Sequence, residues 1–324
     1  MALFIVGGSN SLFRDGWAAK LPGARNLSVG ANTTLCGIFR CLLDDGPKSG
    51  DTIIWEYGLN EIVHSRMLYT TETILRNLEH FLILARRKRF KVLPLMLVPR
   101  KEELSDVMPG YYFDALDLFK QYGLTVVDAS YEFRRRLGGV PSSYYADPVH
   151  YRRDDDVCGE IGRAVEKFLP EARIPLSAQP KLANGNIDLV RLRWSTIFEN
   201  SIMKIPLAEM PVRIRMDGYG VARSIVAICR NGDSSGIRIR LTRRSTVLAD
   251  ARVSITCRND KTILKAVNLD NVGNWSFCEG DILSMRYINA GGVVYAEQGL
   301  SARLRSVITL AEDALAGIIV ERHE

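Results

Sequence analysis

The stretch FIVGGSNSLF, residues 4–13, begins the chain with an apolar run that stops at two glycines and a serine. Its apolar run, residues 4–6, predicts a short buried strand, and the two glycines after it permit a sharp turn where side chains would clash. Ser9 then stands at the end of the strand, and Asn10 and Ser11 can open a helix. A hydroxyl on a tight strand-to-helix turn is typical of a nucleophile or a phosphate-binding loop. A simple turn is the alternative, and the rest of the chain has to separate the two.

The composition is that of a globular protein long enough for two domains. The chain has 324 residues, of which 47% are hydrophobic and 25% charged. No apolar run approaches the length that spans a bilayer, and the first residues lack the features of a signal peptide, so we expect a cytoplasmic location. The six cysteines form no CxxC pair, which predicts reduced, mostly structural thiols and implies no metal or other cofactor.

The net charge is moderately basic. Lys and Arg total 43 against 37 Asp and Glu, which gives a formal charge of +6 and a pI near 9.0. Basic runs at residues 86–89, 134–136 and 152–153 predict solvated helix faces or ends, and an anionic partner is the alternative. Neither zinc-finger spacing nor an aromatic RNA-binding motif nor a basic heptad occurs, so nucleic acid is not expected as the partner.

Residues 1–170 alternate apolar runs with helical patterns and predict one domain. Strands are predicted at residues 4–6, 26–29, 52–55, 91–98 and 124–127, and helices at 33–43, 71–89, 111–122 and 154–169. Pro94 makes the fourth strand imperfect or places it near a sheet edge. Strands that alternate with helices in this way predict a parallel sheet covered by helices on both sides, the α/β class.

The apolar pattern changes after a stretch rich in Pro, Ala and Asn at residues 171–185, which predicts a linker. Over residues 186–324 the period becomes two, and no helix is expected before about Ala311. Strand-like runs lie at residues 236–241, 251–255, 275–288 and 293–304. Short strands at this spacing predict a C-terminal all-β sandwich or jelly-roll domain.

The second domain offers two features for a partner. Trp275, Tyr287 and Tyr295 can stack on sugar rings, although aromatic residues in strands are mostly core. The alternation at residues 237–240, Ile-Arg-Ile-Arg, turns arginines outward and predicts a basic face that can meet an acidic polysaccharide. A cover over the first domain, or a contact in a homo-oligomer, is the alternative role.

Chemistry-bearing residues follow the strands of the first domain, where ligands of an open parallel sheet bind. Ser9 follows the first strand, Gly30 the second and Asn60 the third, and Asp147 and His150 precede the closing helix. All five fall at predicted loop positions on one rim. The imidazole can accept the serine proton, the aspartate can hold the imidazole tautomer, and backbone amides with the asparagine can stabilise an oxyanion.

Four short blocks in this order resemble the SGNH hydrolases, also called GDSL esterases. The blocks are GGSNS at residues 7–11, NLSVG at 26–30, GLN at 58–60 and DPVH at 147–150. The resemblance covers residues 3–169 and implies a flavodoxin-like three-layer fold and metal-free ester hydrolysis. It further implies that Ser9, His150 and Asp147 form the catalytic triad, and that Ser9, Gly30 and Asn60 form the oxyanion hole.

Three positions depart from the family's pattern. Gly8 stands where the family has Asp, which we expect to be harmless because that side chain is not part of the triad. Glu61 follows Asn60 where Asp is usual. The second block lacks the serine that often precedes the oxyanion glycine, so the amide of Gly30 or that of Ala31 can serve, and we favour Gly30.

The sequence therefore predicts a serine esterase that removes a small acyl group, acetyl first among them, from a carbohydrate or polysaccharide. The carbohydrate rests on analogy, because an appended β-sandwich commonly accompanies glycan enzymes. One alternative is an O-acyltransferase that uses the same triad on a glycan. The other is a carbohydrate-binding or assembly protein with a vestigial hydrolase fold, against which the intact set of site residues argues.

Overall fold

A computed structural model describes residues 1–67, 69–105, 107–199, 203–231, 235–254, 256–257, 263–289, 295–296 and 314–323. The chain divides into two compact units, Met1–Ala183 and Asn184–Glu324. The helix expected near Ala311, most of the strand expected at 293–304 and the side chain of Tyr295 lie outside the described residues.

The first unit is built on five parallel strands in the order β2-β1-β3-β4-β5. The strands are β1 (Leu3–Gly7), β2 (Arg25–Asn26), β3 (Thr52–Glu56), β4 (Lys91–Met96) and β5 (Val127–Asp128). The α-helices are α1 (Ser9–Leu12), α2 (Thr34–Leu42), α3 (Gly58–Met67), α4 (Thr71–Lys88), α5 (Arg100–Leu104), α6 (Gly110–Gln121), α7 (Ala129–Leu137) and α8 (Asp155–Phe168). Short 3-10 helices lie at Trp17–Lys20, Ser142–Tyr144 and Leu169–Glu171.

Both faces of this sheet are buried beneath helices. Successive residues of a strand point to opposite faces. On one face, Ile54 of β3 belongs to a core cluster with Phe133 of α7 and Ile161 of α8. On the other face, the neighbouring Trp55 packs edge-on against Phe119 of α6, with ring centroids 5.3 Å apart. The predicted three-layer α/β class is therefore confirmed.

The two edge strands are shorter than predicted, and the reason is local hydrogen bonding. The prediction placed strands at 26–29 and 124–127, whereas regular pairing covers two residues in each of β2 and β5. After β2, the Leu27 and Val29 N–H groups still donate to carbonyls of β1, at 2.8 and 3.0 Å, but the chain is already leaving the sheet for a loop. Before β5, the Leu124 N–H donates to Phe119 O at the end of α6 and so does not join the ladder.

Pro94 lies in an inner strand, because β4 pairs with both β3 and β5. On one side of β4, Pro94 pairs with Trp55 of β3. On the other side, the pairing with β5 begins one residue later, at Leu95. The Val92 N–H donates to Arg173 O on the β5 side of the strand, at 2.9 Å. Because alternate N–H groups point the same way, the N–H that Pro94 lacks would face that side before β5 begins, so the proline removes no ladder bond.

The second unit consists of two mainly antiparallel sheets. Its strands are β6 (Asn186–Val190), β7 (Thr196–Glu199), β8 (Lys204–Glu209), β9 (Val212–Arg215), β10 (Tyr219–Asn231), β11 (Ser235–Arg243), β12 (Thr246–Ser254), β13 (Thr256–Cys257), β14 (Ile263–Asn268), β15 (Ser276–Phe277), β16 (Ile282–Asn289), β17 (Tyr295–Ala296) and β18 (Ala314–His323). One sheet runs β13-β10-β18-β8-β7, with β14 and β15 also on β10 and β6 on β18, and the other runs β17-β12-β11-β16-β9. Side chains of both sheets share one core, so the predicted β-sandwich class is confirmed.

The side chains of this unit limit two of the expected partner features. Trp275 is only 1% exposed and belongs to the core, and Tyr287 packs against the same core, so the structure favours the core interpretation for both. The arginines of β11 do point outward, but Arg238 and Arg240 both donate to Asp250 of β12, at 2.8 and 2.7 Å. The predicted basic face is therefore partly neutralised by a carboxylate within the same sheet.

Among the described helices, none is long and apolar enough to cross a bilayer.

Candidate active site

Ser9 is the first residue of α1, and two glycines precede it: Gly7 ends β1 and Gly8 is the N-cap of the helix. Both glycines are required by close packing. A Cβ added to Gly7 would lie 2.6 Å from Ser11 Oγ, and one added to Gly8 would overlap Asn60 Oδ1. The chain can therefore turn from strand to helix within two residues, which leaves the Ser9 hydroxyl at the carboxyl end of the sheet.

The Ser9 hydroxyl, an imidazole and a carboxylate form a continuous chain of two hydrogen bonds, which we call the relay. Ser9 Oγ lies 2.7 Å from His150 Nε2, and His150 Nδ1 lies 2.7 Å from Asp147 Oδ2. The structure thus brings together residues that are 141 positions apart in the sequence. With Nδ1–H donated to the carboxylate, Nε2 is free to accept the serine proton, which is the arrangement that activates a serine nucleophile.

Asp147 is held in the ionised state that this relay needs. Partial burial by itself would raise the pKa of its carboxyl. Hydrogen bonds from the Val149 N–H, at 2.8 Å, and from the His150 ring and N–H outweigh burial and place the pKa below its ordinary value. The carboxylate can therefore orient the imidazole and stabilise its protonated form. The His150 and Asp147 side chains are 25% and 45% exposed, so the relay is open to a substrate from solvent.

The loop that carries the aspartate and histidine is closed at its base by two tyrosines. Tyr145 and Tyr151 form an isolated antiparallel bridge, and the Ala146 N–H donates to His150 O at 2.8 Å. The Tyr145 and Tyr151 hydroxyls both bond to Val98 O just beyond β4, at 2.8 and 3.1 Å. This anchor was not predicted from the sequence, because the residues that make it are separated by about fifty positions from the carbonyl that they bind.

The candidate oxyanion donors lie beside Ser9. Asn60 is 7% exposed and packs against Gly8. It belongs to the first turn of α3, which begins at Gly58, two residues after the end of β3. Its predicted loop position is therefore wrong, as is that of Ser9, the first residue of α1. A Cβ on Gly30 would lie 3.5 Å from Ser9 Cβ, which places that glycine next to Ser9, and Ala31 follows with a left-handed φ of 54°.

Gly8 has a steric role. Gly8 leaves the space that the Asn60 side chain fills, since any side chain at position 8 would collide with the amide. Its presence was expected to be harmless because the position lies outside the triad. The structure adds that position 8 and Asn60 have to be considered together.

Glu61 supplies an N-terminal cap to a neighbouring helix. It is fully buried, and its Oε1 accepts the Thr34 N–H at 2.9 Å, while the Tyr111 hydroxyl donates to Oε2. The N-cap residue of α2, Thr33, makes no side-chain cap bond of its own. Burial raises the pKa of Glu61 to about 7, and its hydrogen bonds oppose that shift.

A second buried glutamate lies beneath α1, the helix that begins with Ser9. Glu56 ends β3, is fully buried and accepts a 2.6 Å hydrogen bond from Ser11 Oγ of α1. Burial raises the pKa of Glu56 to about 8, against the Ser11 hydrogen bond, and the nearby Glu61 raises it further. Glu56 was not predicted as a site residue, although a carboxylate at the end of a largely apolar strand, TIIWE, is a signal for a buried polar group.

Because the pKa values of Glu56 and Glu61 are raised in the folded protein, we expect the free energy of unfolding to fall as the pH rises through neutrality. An unfolded glutamate loses its proton near pH 4.5, whereas folded Glu61 and Glu56 keep theirs to about pH 7 and 8. In that window the folded state holds more protons, so raising the pH favours unfolding by up to about 1.4 kcal/mol per pH unit for each group. Above about pH 8 this contribution levels off.

Urea unfolding at several pH values measures this effect. We expect Glu56→Gln to flatten the dependence of the unfolding free energy on pH by up to about 1.4 kcal/mol per unit between about pH 5 and 8. Glu132→Gln, at a partly exposed helix position, is the matched control and should leave the slope unchanged. Equal slopes for the wild type and Glu56→Gln would show that Glu56 is ionised in the folded protein.

Comparisons with known proteins give a relationship of fold. No protein-family model matches the sequence, and no curated protein is significantly similar to it. A two-domain esterase (CEX) active on acetylated mannans, co-crystallised with mannopentaose, aligns over 100% of this chain and 91% of its own, with 11% identity and a TM-score of 0.60. A second structure of that esterase aligns over the same shares with 12% identity and a TM-score of 0.57. The chain therefore shares the two-domain fold of this esterase.

Shorter solved structures align with about half of the chain. An acetyl xylan esterase, AlAXEase, covers 52% of this chain and 99% of its own, with 12% identity and a TM-score of 0.42. A GDSL-like lipase from Bacteroides thetaiotaomicron covers 51% and 88%, with 16% identity and a TM-score of 0.39.

Proposed function

We propose that this chain is a serine esterase that removes acetyl groups from a carbohydrate. The observation that carries the proposal is the relay from Ser9 Oγ through His150 to Asp147, with two heavy-atom distances of 2.7 Å. It supplies a nucleophile, a base and an orienting carboxylate at the carboxyl end of a parallel sheet, where ligands of this class of fold bind.

The proposed reaction proceeds through an acyl-enzyme. His150 Nε2 accepts the Ser9 proton as Oγ attacks the ester carbonyl, and the new oxyanion accepts hydrogen bonds from Asn60 and from backbone amides beside Ser9. The imidazolium then donates its proton to the departing sugar oxygen. His150 then deprotonates a water molecule that attacks the acetyl carbon. The bond between that carbon and Ser9 Oγ breaks, acetate leaves, and His150 returns the proton to Ser9 Oγ.

The proposed substrate class rests on the shared two-domain fold. The similar esterase is active on acetylated mannans, and this chain aligns with it over its whole length, β-sandwich included. The partly exposed His150 and Asp147 are compatible with a bulky substrate such as a glycan chain, because the relay can be reached from solvent.

Acetate release from defined esters tests this proposal. We expect the purified full-length protein to release acetate from 4-nitrophenyl acetate and from acetylated mannan, and Ser9→Ala to release it from neither. An ester with a labelled acetyl group and a deacetylated mannan as acceptor separate hydrolysis from transfer. A hydrolase would release the label as acetate, whereas an acyltransferase would move it to the mannan. Absence of turnover on every ester would contradict the proposal and favour a binding protein with a vestigial hydrolase fold.

Asn60→Ala tests the oxyanion contribution by itself. Loss of one oxyanion donor is expected to lower kcat by about a hundredfold to a thousandfold, with KM little changed, because the bond strengthens as the oxyanion forms. Asn186→Ala, in the second unit, is the matched control and should retain wild-type kcat. A defect that lies wholly in KM would assign the Asn60 amide to substrate binding instead.

A further inference from the structure

Asn10 reaches from the nucleophile helix to the loop that carries His150. It follows Ser9 in α1 and is 4% exposed. Its Nδ2 donates to Val149 O at 3.1 Å, and its Oδ1 accepts the Tyr151 N–H at 2.9 Å. One side chain therefore bonds the backbone on both sides of His150, across about 140 residues of sequence.

These two hydrogen bonds link the position of the base to that of the nucleophile. Ser9 and Asn10 are consecutive residues of one short helix, so a displacement of the helix moves both. The loop residues on either side of His150 are bonded to Asn10, and the ring between them lies 2.7 Å from Ser9 Oγ. The Tyr145 and Tyr151 hydroxyls fasten the same loop to Val98, which sets its place relative to β4 but not relative to α1.

We propose that Asn10 is a positioning residue that holds His150 in register with Ser9. The inference rests on the proposed esterase function, because the position of His150 relative to Ser9 matters only if these two residues act together in catalysis. A short amide suits the task because it offers a donor and an acceptor on one planar group. The bond from the Tyr151 N–H is buried and the bond to Val149 O is partly buried. A misplacement of about 1 Å in such a constellation can lower the rate about a hundredfold.

The test compares Asn10→Ala with a matched substitution of another buried polar brace. Glu79 of α4 is fully buried, and its carboxylate accepts the Lys181, Leu182 and Ala183 N–H groups, at 2.9, 2.6 and 2.8 Å. Glu79→Gln therefore weakens a buried brace of the same unit that bonds neither Ser9 nor the His150 loop. For both full-length variants, kcat and KM are measured on 4-nitrophenyl acetate, and thermal unfolding is followed by circular dichroism.

We expect Asn10→Ala to lower kcat by about tenfold to a hundredfold with KM within about threefold of the wild type, because the defect lies in the alignment of the base. Glu79→Gln should lose thermal stability and keep its kcat. If both variants lost kcat in proportion to stability, or if folded Asn10→Ala kept kcat within about twofold, the positioning role would be overturned.

A second variant covers the case in which Asn10→Ala does not fold. Asn10→Asp keeps the shape and the acceptor for the Tyr151 N–H but sets an oxygen against Val149 O. We expect it to lower kcat and leave KM near the wild-type value, and an unchanged kcat would overturn the inference. A wild type without turnover on any ester would instead overturn the proposed function and, with it, the role of Asn10.

Discussion

Ser9→Ala is expected to lower kcat for acetyl ester hydrolysis by about four to six orders of magnitude and to leave the protein folded. In the proposed mechanism the hydroxyl oxygen attacks the ester, and this oxygen lies 2.7 Å from His150 Nε2, the proposed proton acceptor. Alanine removes that atom, and water has to replace it without the benefit of a fixed position. Steady-state kinetics on 4-nitrophenyl acetate, with circular dichroism as the folding check, measure the effect.

A second serine provides the control for this result. Ser105 is the C-cap residue that follows α5, and its hydroxyl donates to Glu102 O at 3.0 Å. Ser105→Ala therefore makes the same chemical change at a hydroxyl that bonds a backbone carbonyl and not His150. We expect that variant to keep wild-type kcat. If Ser9→Ala retained more than about a tenth of the wild-type kcat, the nucleophile would have to be another residue.

His150→Ala is expected to lower kcat by a comparable four to six orders of magnitude, because the relay then has a nucleophile without a base. The imidazole lies between the hydroxyl and Asp147, 2.7 Å from each. Its removal leaves a space that is open to solvent on one side. We therefore expect added imidazole to restore part of the kcat of His150→Ala and none of that of Ser9→Ala.

The control for this variant is a histidine in the second unit. His323 ends β18, and His323→Ala should keep wild-type kcat. A His150→Ala variant that was as active as His323→Ala would rule out His150 as the base. Rescue of both Ser9→Ala and His150→Ala by imidazole would indicate catalysis by the added imidazole itself.

Local sequence patterns were enough to predict the longer elements of the first unit and to name candidate site residues. The strand at 4–6 and the helix at 71–89 could be predicted because their apolar periods depend on residues a few positions apart. Ser9 and His150 could be named because each stands where an apolar run ends or a helix is about to begin. Those patterns involve residues that are close together in the sequence, so they can be recognised without the tertiary structure.

The residues that support that site could be identified only from the tertiary structure. The bonds from Asn10 to the loop of His150 and from Ser11 to Glu56 join residues that are about 140 and 45 positions apart. The sequence did not indicate a role for Gly8, whereas the structure shows that the Asn60 amide fills the space beside it. A hydrogen bond or a steric gap depends on what the fold brings within about 3 Å, and local sequence patterns do not specify partners so distant along the chain.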